Sequence, residues 1–143
     1  MNKNRTAMKE RLFAFLNNRV NKQVSEAYAD LCITDLCGCG YANGYVAVPS
    51  SHPLYGADYN RANKLIDIHG GLTFSNALKD IFIGEWGTGI ECIDFDNFNE
   101  IPKDYWILGF DTLHFQDGPH LDREWCIKET NNLKEQLENI KRL

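Results

Sequence analysis

The chain has 143 residues, of which 43% are hydrophobic, 12% aromatic and 24% charged, the balance of a globular domain long enough to bury a core without disulfides or a structural metal. A formal net charge of -5 excludes non-specific binding to extended nucleic acid, which needs a basic face, but leaves room for a local basic pocket. No window approaches the roughly 18 apolar residues of a membrane span, and the charged first residues have no apolar run behind them, so a cytoplasmic protein that avoids membranes is expected.

In chain order, residues 5–32 predict a long amphipathic helix, since Met8, Leu12, Leu16, Val20, Val24 and Tyr28 recur every four residues with no Gly or Pro between them. Cys32, Cys37 and Cys39 follow, three of the five cysteines. With His52 they offer a zinc set, but their spacing matches neither a ribbon nor a finger. Buried thiols in a reducing cytosol are the preferred reading, and no metal or cofactor is assigned. Strands are expected at Gly44 to Val48, Leu65 to His69, Gly89 to Phe95 and Tyr105 to Phe110, separated by Gly- and Pro-bearing turns. A second amphipathic helix, 122–141, closes the chain, with Asp122 as its N-cap and Trp125, Cys126, Leu133, Leu137 and Ile140 on one stripe. The whole predicts one α+β domain over 1–143: a twisted, mostly antiparallel sheet in a β-rich body at 40–118, flanked by a long N-terminal and a C-terminal helix.

Three stretches carry candidate chemistry. Ile68-His69-Gly70-Gly71-Leu72-Thr73 ends a strand on two glycines, whose bare N–H groups suit an anion or a close neighbouring loop. The loop Tyr45 to Tyr59 sets Tyr45, His52, Tyr55 and Tyr59 around two prolines, suited to stacking on a planar ligand. After Trp106, the residues Asp111, His114 and Asp117 leave one strand end, and with His69 they form a His/Asp set for metal or acid–base work on a phosphodiester. Each also has a structural reading, as a tight turn, a surface loop over the sheet and a strand end.

Taken together, Gly44-Tyr-Val-Ala-Val-Pro with His52-Pro-Leu-Tyr-Gly-Ala-Asp-Tyr59, then His69-Gly-Gly-Leu-Thr-Phe-Ser75, then Trp106-Ile-Leu-Gly-Phe-Asp-Thr-Leu-His114, resemble a family of small proteins from phages and bacterial mobile elements. The likeness covers about residues 40 to 141. It departs at the N-terminal helix, where the family pattern has a short hairpin, at Leu113 in place of a small residue, and at the lengthened spacing from His114 to Asp117. A phage origin would place the protein in the host bacterial cytosol. It also implies a compact anti-defence protein acting on cyclic ADP-ribose isomers or cyclic dinucleotides.

The leading expectation is a non-enzymatic binder that sequesters such a nucleotide, as a homodimer. Tyr45, Tyr55, Tyr59 and Trp106 would stack, His69 with Gly70, Gly71 and Thr73 would meet phosphate, and Asp111 would accept ribose hydroxyls, with His52 and His114 lining the same pocket. One alternative is a phosphodiesterase using His69, His114 and Asp111 as acid, base or metal ligands. Another is an inhibitor of a host protein, docking through the apolar stripe of the N-terminal helix.

Overall fold

Five consecutive apolar residues, Leu12 to Leu16, cannot all face one side of a regular element, so both sides of whatever they form must be covered. In the computed structural model, which describes residues 11–18, 42–81, 90–93, 100–111 and 123–141, they enter a strand, β1 (Phe13–Asn18). The helix expected over 5–32 is therefore corrected to strand across 13–18, with 11 and 12 leading into it without regular structure; 5–10 and 19–32 lie outside the described residues. The periodicity misled for a simple reason. A spacing of four is a multiple of two, so Leu12 and Leu16 share a face in a strand as they do in a helix, and the β-forming Phe13 and Phe15 between them favour the strand.

With β2 (Ala42–Val48), β3 (Phe74–Ala77), β4 (Ile90–Cys92) and β5 (Trp106–Phe110), β1 forms a five-stranded sheet of order β3-β5-β2-β1-β4. Every neighbouring pair is antiparallel, in keeping with the α+β class. β2, β4 and β5 fall where strands are expected. β3 is an addition: Phe74-Ser75-Asn76-Ala77 has little strand pattern of its own and takes its geometry from β5, with Phe74 opposite Gly109 and Ala77 opposite Trp106. A one-turn helix, α1 (Tyr59–Ala62), is capped by Asp58, whose carboxylate accepts from the Arg61 N–H at 2.8 Å.

The C-terminal helix, α2 (Arg123–Asn139), runs as expected, while its anticipated cap Asp122 lies outside the described residues. It buries Cys126, Thr130, Leu133 and Leu137 against the sheet face made by Ala14, Leu16, Val46, Val48, Leu108 and Phe110. The opposite face carries Phe13, Phe15, Tyr45, Ala47 and Ile107, covered by Leu78, Ile81, Ile101 and Tyr105. Arg123 also pairs with Glu91, so the start of α2 is tied to the β4 edge, and this guanidinium holds the Glu91 carboxyl below its ordinary value. No helix among the described residues is long and apolar enough to cross a membrane.

Two glycines let these layers close. A Cβ on Gly44 would lie 2.1 Å from Thr130 Oγ1 and 2.5 Å from the Phe110 ring, so β2 presents bare backbone where α2 docks. On the other face, a Cβ on Gly109 would lie 2.3 Å from the Tyr45 ring, which occupies the space across the β2–β5 pair.

Candidate functional site

The segment 65–69, expected as a strand, belongs to no strand among the described residues: Leu65 and His69 lie in turns and 66–68 between them have no regular structure. Its alternation is real: Ile66 and Ile68 are buried, while Leu65 and Asp67 are exposed. Backbone polar groups still need partners, and α2 supplies them through side chains. Gln136 Oε1 accepts from the Asp67 N–H at 2.9 Å, Gln136 Nε2 donates to the Asp67 carbonyl at 2.8 Å, and a Glu129 carboxylate oxygen accepts from the His69 N–H at 2.7 Å. The expected strand is thus corrected to a strap held by a helix.

The strap ends in a turn in which the Gly71 N–H donates to the Ile68 carbonyl at 3.0 Å. Gly70, at φ 69°, holds the third position, where a type II turn requires positive φ. Gly71 follows at φ 76°, and a Cβ there would meet Asn63 Oδ1 at 3.2 Å. Asn63 is the neighbour that needs the bare backbone: its amide accepts from the Leu72 N–H at 2.6 Å and donates to the Leu72 carbonyl at 2.9 Å. The next N–H, of Thr73, goes to the Gly109 carbonyl. The N–H groups of residues 69, 71, 72 and 73 therefore all have acceptors within the protein, so this turn is built to join α1, β5 and α2. Gly71→Ala is expected to cost about 1–2 kcal/mol, the penalty of a side chain at positive φ, read as a lower urea midpoint with an unchanged slope.

His69 packs edge-on against Trp125, with ring centroids 5.0 Å apart, and Trp125 in turn meets Phe110. Thr73 Oγ1 donates to Asp111 Oδ2 at 3.1 Å, so these two candidates do converge. His114 and Asp117 lie outside the described residues.

His52 is 9% exposed, and both of its ring nitrogens are engaged. Nδ1 accepts from the Leu54 N–H at 3.0 Å, which leaves Nε2 to donate to the Leu137 carbonyl at 2.7 Å near the end of α2. This is one neutral tautomer, fixed from both sides. Burial pushes its pKa below 6.5, the Leu137 carbonyl works against that shift, and Lys141 adds to it. With neither nitrogen available, His52 does not serve as the fourth zinc ligand considered above; Cys32, Cys37 and Cys39 lie outside the described residues.

The aromatic candidates divide between the two faces of the sheet. Tyr45 is 3% exposed on the face away from α2, stacked on Phe15 at 5.1 Å and edge-on to Phe74 at 5.4 Å. Tyr45 is therefore a core residue and shares no surface with the others. Tyr55 and Tyr59 are each 39% exposed. Tyr55 lies 6.1 Å from half-buried Trp106 at an interplanar angle of 55°, and the Trp106 indole N–H is anchored to the Ala57 carbonyl at 2.9 Å. Tyr59 starts α1, its N–H donating to Ser75 Oγ on β3.

Sequence reasoning missed the concave surface beside this loop. A cleft of about 520 Å³ opens between residues 49–53 and the last turns of α2; its walls include Pro49, His52, Leu137 and Ile140, and its charged groups are Arg11, Lys134, Glu138 and Lys141. These residues come from three distant parts of the chain, so no local motif announces them. The candidates therefore form two groups. Glu129, which holds the His69 N–H, and Leu137, which holds the His52 ring, stand eight residues apart on α2, or about 12 Å along its axis.

Among the described residues no three His, Cys, Asp or Glu side chains gather closely enough to hold a metal ion. Burial raises the pKa of the Cys126 thiol to about 11, so it carries no nucleophilic thiolate at neutral pH. Comparison with family models, curated proteins and solved structures finds no match to this chain.

Proposed function

We propose that the protein binds and sequesters a small nucleotide of the cyclic signalling class, and that the loop 49–57 carries the recognition. The supporting observation is that this one loop lines the charged cleft with Pro49, Ser51, His52 and Pro53 and also sets Tyr55 beside Trp106 on the exposed surface. A flat base would stack on the exposed ring of this tilted pair, Tyr55, at about 1–3 kcal/mol per stacked base. The phosphate would be drawn to the cations. This differs from the sequence reading in that the N–H groups of His69, Gly71, Leu72 and Thr73 are committed within the protein, which shifts the phosphate role to the cleft.

At the cleft, binding without turnover is the favoured form, because His52 there has both nitrogens hydrogen-bonded to main chain. Acid–base chemistry needs a group within hydrogen-bond reach that can exchange its proton. Calorimetry of the full chain against a panel of cyclic mono- and dinucleotides and cyclic ADP-ribose isomers tests the reading. The expected result is saturable binding that Tyr55→Ala weakens at least fivefold, with the ligand recovered intact after denaturation. Absence of binding across the panel overturns the proposal, and recovery of hydrolysed product replaces it with the phosphodiesterase reading.

A further inference from the structure

In an acidic chain of net charge -5, the cleft concentrates positive charge. Arg11, from just before β1, faces Lys134 and Lys141 from the last turns of α2 and the residues beyond it, and one carboxylate, Glu138, stands among them. Among the described residues that line it, three are cations and one is a carboxylate, while His52 is neutral. Glu138 lies 3.8 Å from Lys134 on the same helix, an exposed partner that a stronger anion can displace. Leu12, Pro49, Pro53, Leu137 and Ile140 also line the cleft, which is open to solvent.

We infer that this cleft is a site for a doubly charged phosphate moiety, a pyrophosphate or a phosphate monoester, with Arg11, Lys134 and Lys141 as its charge partners and the Ser51 hydroxyl as a further donor. The inference rests on the nucleotide reading for the rest of its ligand but not for the site itself: within the cyclic class it selects the pyrophosphate of a cyclic ADP-ribose isomer over a singly charged phosphodiester, and free pyrophosphate carries the same chemistry. Arg11 suits two-point recognition of phosphate oxygens, whereas the two lysines act as mobile point charges. Glu138 opposes them, so its removal has the opposite sign.

The test is calorimetry of the full chain at 50 mM and 300 mM salt, with adenosine, AMP, ADP, inorganic phosphate and inorganic pyrophosphate as separate titrants. The variants are the Lys134→Gln/Lys141→Gln double substitution and Glu138→Gln, with Tyr55→Ala as the aromatic control. AMP, ADP and pyrophosphate are expected to bind, more weakly at the higher salt. The lysine double variant is expected to lose at least tenfold in affinity, and Glu138→Gln to gain several-fold. Circular dichroism and Tm matching the native chain establish that each variant is folded. If none of the phosphate compounds binds, or if both charge variants bind as the native protein does, the cleft is not a phosphate site. Adenosine and AMP binding equally well, with loss only in Tyr55→Ala, overturns the cleft and leaves the nucleotide reading standing. Pyrophosphate binding that depends on the lysines, with no effect of Tyr55→Ala on AMP or ADP, keeps the cleft and overturns the aromatic one.

Discussion

Gly44→Ala is expected to destabilise the protein by about 3 kcal/mol or more, the upper range for forcing extra volume into a packed core. One methyl group would stand 2.1 Å from Thr130 Oγ1 and 2.5 Å from the Phe110 ring. Neither neighbour can yield cheaply. Thr130 is fully buried, its hydroxyl donating to the Cys126 carbonyl one turn back at 2.6 Å, so moving it breaks a buried hydrogen bond. Phe110 is 1% exposed and packed against Trp125. The remaining escape is to lift α2 off the sheet, which would uncover Leu133 and Leu137 as well. Urea denaturation followed by far-UV circular dichroism measures the loss. A midpoint within experimental error of the native value would mean that α2 does not dock on β2 as described. Adding Thr130→Ala to Gly44→Ala should restore only part of the stability, because Phe110 still blocks the site.

His52→Ala is the second large effect, expected at about 2–4 kcal/mol. It leaves the Leu54 N–H without its acceptor, at about 1–3 kcal/mol for a group left buried, and takes from the Leu137 carbonyl one of its two donors, the Ile140 N–H remaining at 3.2 Å; loss of the packed ring adds the rest. The same geometry sets a pH dependence. The folded-state pKa of His52 lies below its ordinary 6.5, so between the two values the unfolded chain binds the proton more readily. The stabilisation from the neutral ring is therefore complete above pH 6.5 and is lost progressively as pH falls through the folded-state pKa. Protonation would turn Nδ1 into a donor facing the Leu54 N–H, itself a donor. Chemical denaturation at pH 7.5 and pH 5.5 should show the native protein losing stability by more than His52→Ala does. Equal losses would show that His52 does not carry the acid sensitivity.

The sequence made some of this architecture legible. β2, β5 and α2 each combine a clear period with turn residues at their ends, and each is found close to its expected bounds. β1 was hidden because Leu12 and Leu16 suit either period, and its identity depends on partners at Ala47, Val46, Tyr45 and Gly44 far along the chain. β3 was hidden because edge pairing to β5, not its own residues, gives it strand form. For the site, the loop chemistry of Tyr55 and Trp106 could be read locally. The separation of Tyr45 from them could not, since the face of a strand residue depends on which side the helix covers. Gly71 is backbone that a neighbour approaches, and that neighbour is Asn63, whereas Gly70 supplies the positive φ of the turn.

The strap at 66–69 redistributes mutational sensitivity. Between two strands, pairing is main chain to main chain and tolerates most side chains on either side. Here one partner is the carboxamide of Gln136, which reads the Asp67 peptide and also contacts Asn132, itself joined to Glu129. Because Gln136 addresses only the main chain of Asp67, this pairing survives almost any residue at 67. It is lost with most changes at 136, a half-buried polar position beside the buried stripe of α2.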